Sequence, residues 1–346
     1  MIFLTGGTGL VGAHILLKLT ENGHNVKALK RKKSSLTVIE NIFSHYNKVD
    51  LLQSIKWIDG DILDPFSLEK GIKDCQIVIH CAAVVSFNPK DFEKMMIQNV
   101  EGTANIVNLC IDYKIKKLGY ISSIATLSNS KKNNLRTEND FWKKSKSNTQ
   151  YAISKYLSEQ EVWRGVSEGL NSIIVNPSVI LGPGDWTKGS SQMFEKVWSG
   201  LRFYSTGSTG YVDVLDVAEC LIKLIKSDIV NERFIINSEN MSYRQIFDLI
   251  AENLNKTKPH IKVTPLLKEI AWRIEWLKSK ITNKSPLITR ETANTSMTNK
   301  SFSNKKIVNA LNYKFIPISD SIKRYSQWFM LDLSLIHISE PTRPID

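Results

Sequence analysis

The chain has 346 residues, 42% hydrophobic and 23% charged, with 46 Lys and Arg against 34 Asp and Glu for a formal net charge of +12. This composition excludes disordered, collagen-like and disulfide-stapled proteins, and no apolar run reaches the roughly 18 residues that a membrane-spanning helix needs. The lysines are scattered without aromatic interleaving, which argues for a solvated basic surface and against a nucleic-acid partner.

The elements follow in chain order. Residues 2–5 form an apolar strand that runs into the turn Thr5-Gly6-Gly7-Thr8-Gly9-Leu10-Val11-Gly12, and a helical pattern covers 13–20. No secretory signal precedes that strand, so a cytoplasmic protein is expected. Further strands are expected at 26–29, 55–58, 76–80, 118–122, 172–175 and 233–236, with helical segments between them, including 92–110. This alternation predicts an α/β fold: a Rossmann doubly wound parallel sheet of about seven strands with helices on both faces. The character changes after residue 180, where apolar segments are broken by Gly, Pro, Ser and Thr. The expected division is a dinucleotide-binding and catalytic unit over 1–180 and a smaller C-terminal substrate lobe over 181–332, with a return to the sheet near 211–240. Residues 265–281 read as a lid or packing helix, with a membrane-surface helix as the alternative. The tail 333–346 resembles a translated sequencing-library adapter and is set aside; chains with and without it are expected to behave alike. Cys75, Cys81, Cys110 and Cys220 lack metal-ligand spacing and read as buried thiols in a reducing compartment, with no metal site.

Gly6, Gly9 and Gly12 recur every three residues between a strand and a helix. That context suits a pyrophosphate lying against backbone N–H groups at a helix N-terminus, where a side chain would block its approach. NAD sites place an acid at the end of the second strand. Here that end reads Leu29-Lys30-Arg31-Lys32-Lys33, so Arg31 and Lys32 are positioned for a 2′-phosphate and NADP(H) is preferred, with NAD(H) possible. Asp61, in Asp61-Ile62, is a candidate acceptor for the adenine amino group or a plain turn aspartate.

Tyr151 and Lys155 lie four apart on one helix face. An ammonium there would stabilise tyrosinate and lower the phenol pKa, making Tyr151 usable as an acid or base near neutrality. Ser122-Ser123 ends the preceding strand, where ligands bind in such sheets.

Together with His80-Cys81-Ala82-Ala83, Asn99-Val100-x-Gly102-Thr103, Asn176-Pro177-Ser178 and Tyr211-Val212-Asp213-Val214-Leu215-Asp216-Val217-Ala218, these motifs resemble the extended short-chain dehydrogenase/reductases of the NAD-dependent epimerase/dehydratase family, over roughly residues 1–330. The resemblance implies that Tyr151 donates a proton to a carbonyl oxygen, that Lys155 holds the nicotinamide ribose and tunes Tyr151, and that Ser123 (Ser122 as the alternate) bonds the reacting oxygen. It implies that Ala82 and Ala83 let the backbone pass close to the cofactor, that Pro177, Ser178 and Val179 border the nicotinamide, and that Asn99 supports the Tyr–Lys helix. A homodimer through 92–110 and 151–167 also follows from the resemblance.

The stretches after Ser123 and Asn176 depart from the nucleotide-sugar branch and look more like dihydroflavonol reductases, aldehyde reductases and 3β-hydroxysteroid dehydrogenases. The expected activity is NADP(H)-dependent reduction of an apolar or aromatic ketone or aldehyde. The alternatives are a redox-neutral nucleotide-sugar epimerase/dehydratase and a non-catalytic NADP(H) sensor. Val85, Phe87, Trp186 and Tyr204 are the substrate-contact candidates, within an aromatic set that also includes Trp142, Phe194 and Phe203.

Overall fold

The computed structural model describes residues 1–128, 135–145, 147–282 and 289–339. Seven strands make one sheet: β1 (Ile2–Thr5), β2 (Val26–Lys30), β3 (Ile55–Asp59), β4 (Ile77–His80), β5 (Lys117–Ile121), β6 (Ser172–Pro177) and β7 (Glu232–Ile236). Their order is β7-β6-β5-β4-β1-β2-β3, and every pairing is parallel. The central strands are apolar runs buried along their length, as a sheet covered on both faces requires.

One face is covered by α1 (Leu10–Glu21), where Ala13, Leu16 and Leu17 join Val217, Leu221 and Leu224 of the helix Val214–Lys226. The other face is covered by α2 (Gly102–Asp112) and α3 (Gln150–Ser167), which contribute Ile106, Val107, Cys110 and Val162. Each such aliphatic side chain buried in full contributes roughly 1.5–3 kcal/mol. The helix Val214–Lys226, α4 below, follows a strand of a second, three-stranded sheet (Val179–Leu181, Ser208–Asp213, Glu239–Ser242) and is followed by β7. Chain after residue 180 thus re-enters the main sheet with α4 and β7. A third core, with Leu181, Phe194, Tyr211, Ile250 and Phe329, lies under the C-terminal helix α5 (Ile318–Ser339).

One expectation changes. The helix anticipated over 92–110 is two α segments, Phe92–Met95 and Gly102–Asp112, joined by a π turn at Met96–Glu101 that carries Asn99. The Pro265–Thr282 helix forms, with Leu266 70% and Ile274 58% exposed and Trp272 half-buried under Arg273 and Arg290. The tail set aside at 333 is structured at its start, since α5 runs on to Ser339 and Leu333 packs against the third core; residues 340–346 lie outside the described residues. Among the described residues no helix is long and apolar enough to cross a membrane.

Candidate active site

The carboxyl ends of β1, β4, β5 and β6 open on one edge of the sheet, where the glycine turn, Ala82, Ala83, Ser122, Ser123 and Ser178 follow their strands. The glycine turn leads from β1 into α1, and its three glycines have different reasons to be there. Gly6 has φ +77°, and a Cβ on it would fall 2.6 Å from the backbone N of Ala82. A Cβ on Gly12 would fall 2.2 Å from the Gly6 carbonyl oxygen. These two are demanded by the chain's own packing, including the close pass of Ala82. A Cβ on Gly9 would meet only the Gly6 carbonyl oxygen at 3.5 Å, so Gly9 faces open space beside the first-turn amides of Leu10, Val11 and Gly12. A helix leaves those amides without carbonyl partners, which makes the turn fit a pyrophosphate.

Other residues assigned to the cofactor divide into two groups. Arg31, Lys32 and Ala83 are exposed at strand ends, while Lys30 Nζ is taken by Asp59 Oδ1 at 2.5 Å. The Thr5 hydroxyl, by contrast, is buried and committed within the protein. It accepts from Ala82 N and pairs with His80 Nδ1 at 2.6 Å. Thr103 donates to the Asn99 carbonyl, so its oxygen accepts from His80 Nε2, and His80 Nδ1 accepts from Thr5. His80 is therefore a neutral strut between β1, β4 and α2, and burial pushes it down to about 3. Ile62 is likewise a core side chain against Gly102. Asp61 is half-buried, and its Oδ1 accepts from Leu63 N. The Ser178 hydroxyl bonds the Ile236 carbonyl, with Pro177 buried and Val179 half-buried beside it.

Tyr151 lies in the first turn of α3. Thr149 caps that turn by accepting from Ala152 N at 3.1 Å, and Glu291 Oε2 accepts from Gln150 N. The two serines at the end of β5 point to opposite sides, as strand alternation dictates. Ser122 donates to Glu159 Oε2 at 2.6 Å in the interior. Ser123 accepts from Ala125 N and lies beside the Tyr151 phenol. Burial raises the Tyr151 phenol above its ordinary pKa, and the neighbouring Ser123 hydroxyl opposes that rise. The expected lowering by Lys155 is not what the chain's own geometry gives. Lys155 Nζ donates to Tyr120 OH and the Ile121 carbonyl, each at 2.8 Å. Burial lowers this lysine to about 7, with Glu159 pulling it back up.

Glu159 was not singled out by its sequence, although it follows Lys155 by one further turn of the same helix face. It is 1% exposed. Its Oε2 accepts from Ser122, Thr126 and Asn176, and its Oε1 from Trp163 and Arg233. Asn99 bonds the Val84 backbone through both amide atoms and donates to Ser154 Oγ, tying the π turn to α3 as expected.

The substrate-contact candidates separate. Phe87 packs edge-on to Tyr151 at 5.8 Å, and Val85 is 59% exposed nearby in sequence. Trp186 is half-buried: it packs on Phe194 and Phe329, and its Nε1 donates to Asp332. Tyr204 is stacked under Arg244, whose Nη1 donates to its hydroxyl. Both were assigned to the substrate on aromatic character alone, and aromatic rings more often pack a core or a surface pair.

The model of the NAD dependent epimerase/dehydratase family matches residues 2–237. A putative dihydroflavonol 4-reductase of Synechocystis sp. is 31% identical over 258 residues, covering 70% of this chain and 69% of that protein. The solved structure of gox2253 is 29% identical with a TM-score of 0.80, covering 96% of this chain and 98% of that one. A UDP-glucose 4-epimerase from Thermotoga maritima, solved with UDP-glucose, shares the fold with a TM-score of 0.75 at 20% identity, over 96% of this chain and 99% of its own.

Proposed function

Because the chain belongs to the NAD dependent epimerase/dehydratase family, we propose that it is an NADP(H)-dependent reductase of an apolar or aromatic ketone or aldehyde. The observation that carries this reading is the placing of Tyr151 in the first turn of α3 with Ser123 beside it at the carboxyl end of β5 and Lys155 one turn along the same helix. Likeness to a putative dihydroflavonol 4-reductase supports a carbonyl reduction over a redox-neutral reaction.

The amides beside Gly9 would hold the pyrophosphate, Arg31 and Lys32 the 2′-phosphate, Asp61 the adenine, and Lys155 the nicotinamide ribose. Ala82, Ala83, Pro177, Ser178 and Val179 would line the remainder. When bound, NADPH supplies a hydride to the carbonyl carbon. Tyr151 gives its phenolic proton to the carbonyl oxygen, and Ser123 holds that oxygen by a hydrogen bond. A phenol whose pKa is raised by burial stays protonated at neutral pH, which suits the direction of reduction. Phe87 and Val85 would offer an apolar wall to the substrate.

The test is NADPH absorbance against a panel of aldehydes, ketones, dihydroflavonols and 3-ketosteroids. Turnover that falls by roughly 100-fold or more in Tyr151→Phe is the expected result. Tight NADP(H) binding without reduction of any of these, together with conversion of a nucleotide sugar, would overturn it.

A further inference from the structure

Lys155 and Glu159 stand four apart on α3, the spacing at which a lysine and a carboxylate pair along a helix. The carboxylate is instead filled by five other donors, with Arg233 as its ion-pair partner. The Lys155 ammonium turns across to β5 and is held by two consecutive residues there. Nζ donates to Tyr120 OH and to the Ile121 carbonyl, each at 2.8 Å, and lies 4.5 Å from the Tyr120 ring centroid. An ammonium has three N–H donors, so this grip leaves one for the cofactor.

Tyr120 is 1% exposed and Lys155 2%. On the sheet Tyr120 stands between His80 of β4 and Ile174 of β6. Its ring stacks on the His80 ring at 5.6 Å and packs in the core with Val107 of α2 and Val162 of α3. Those apolar surroundings call for a ring, and phenylalanine would supply one. The hydroxyl is the part that the core does not need, and burying one is unfavourable without a polar partner. Its partner is the Lys155 ammonium. The contact lies at the carboxyl end of β5: Ile121 immediately precedes Ser122 and Ser123, and Tyr151 lies one turn before Lys155 on α3. A long lysine side chain loses much rotamer freedom when it is fixed, and acceptors already in position reduce what cofactor binding must still order.

The ionisable groups around the ammonium come from three places. They are Glu159 and Tyr151 on α3, His80 and Cys81 at the end of β4, and Tyr120 on β5. Burial keeps the His80 imidazole and the Cys81 thiol neutral. Burial also lowers Lys155 to about 7, against the pull of Glu159. The charge on Lys155 near neutral pH therefore depends on each acceptor that it keeps.

Resting on the reductase reading above, we propose that Tyr120 is a positioning residue of the reduction: its hydroxyl, together with the Ile121 carbonyl, anchors the Lys155 ammonium at the carboxyl end of β5, between the strand that leads to Ser123 and the helix that carries Tyr151. Acting through Lys155, it favours the charged form that stabilises the tyrosinate left when Tyr151 gives up its proton.

The test compares Tyr120→Phe with the unsubstituted protein, using NADPH and the best carbonyl substrate of the panel above. The kcat of the folded fraction should fall by about tenfold, the size of effect that losing a hydrogen bond to a charged group gives. KM for the carbonyl compound should stay within about twofold, because Tyr120 is placed to touch Lys155 and not the substrate. The alkaline fall of kcat should begin at least about half a pH unit lower, because the ammonium loses its proton sooner. A tyrosine that only fills the core would move none of these, since phenylalanine keeps the ring. An unchanged kcat, or a lower kcat with the pH profile in place, overturns the role of Tyr120 and leaves the reductase standing. If no carbonyl compound is reduced, the reductase reading fails, and the role of Tyr120 is decided by the titration of Lys155 in the NADP+-loaded protein. That titration is followed by the 13Cε resonance of Lys155, assigned by its loss in Lys155→Met. A lower midpoint in Tyr120→Phe supports the anchoring; an unchanged or higher one overturns it.

Discussion

Glu159 and Asp213 are both buried carboxylates that collect donors from distant parts of the chain, but they are finished differently. Around Glu159 five donors converge from the end of β5, the turn after it, α3 itself, β6 and β7. Asp213 caps α4 through Leu215 N and accepts from Ser321, Arg324 and Tyr325 of α5. Near this second centre His14 Nε2, Tyr46 OH and Arg324 Nε are buried with no hydrogen-bond partner among the described residues. The Glu159 centre, where Asn176 Oδ1 is the one such atom, lies under the reacting groups, turns Ser122 inward and leaves Ser123 to Tyr151. The less satisfied Asp213 centre fastens a terminal helix. The more completely a polar network is satisfied, the more closely it defines one geometry.

Substitutions can break this comparison. The largest effect is expected for Asp213→Ala, which removes the acceptor shared by Ser321, Tyr325 and the half-buried Arg324 and should cost about 3 kcal/mol in denaturant unfolding. A loss below about 1 kcal/mol would mean that the apolar contacts of Ile318, Ile322 and Phe329 alone hold α5. Glu159→Gln should cost less stability, about 1–3 kcal/mol, but should lower kcat more than tenfold with little change in KM, because Ser123 and Lys155 lose their support. Asp213→Asn should leave the kcat of the folded fraction unchanged. Equal kcat losses in the two variants would erase the distinction.

The smallest effect lies in the pH profile. Burial lowers His14 to about 4 and His80 to about 3, while it raises Asp216 to about 7. Between pH 6.5 and 4 the unfolded chain takes up protons that the two native imidazoles refuse, so each removes about 1.4 kcal/mol per pH unit as pH falls. Asp216 acts oppositely: its contribution is fully present below the unfolded carboxyl pKa and is lost as pH rises through about 7. One histidine and Asp216 therefore nearly cancel across this window. His14→Gln should flatten the dependence of the urea midpoint on pH between 6.5 and 4, and an unaltered slope would show that His14 is not a neutral buried imidazole.

The main sheet was largely legible. Its strands were expected within about two residues of where they lie, because strands buried on both faces are unbroken apolar runs between turn residues. The glycine turn, Tyr151 and Lys155 were legible for a similar reason: each pattern is local, and helix geometry converts spacing into position. The small three-stranded sheet was missed, because its strands are short and pair across distant segments. What Trp186 and Tyr204 pack against was not legible, since aromatic identity does not say whether a ring faces a cleft or a core.

Local order along the chain was thus determined by the sequence: the parallel α/β architecture, the dinucleotide turn and the face shared by Tyr151 and Lys155. Tertiary structure alone decided which serine faces Tyr151, because that depends on Glu159 drawing Ser122 inward. It alone paired Thr5 with His80, and set the strand Ser301–Phe302 beside Leu135–Arg136 from a segment far along the chain. Periodicity specifies which face a side chain occupies, but the partner it meets there is set only when remote segments pack, since burial and hydrogen bonding act through space and not along the chain.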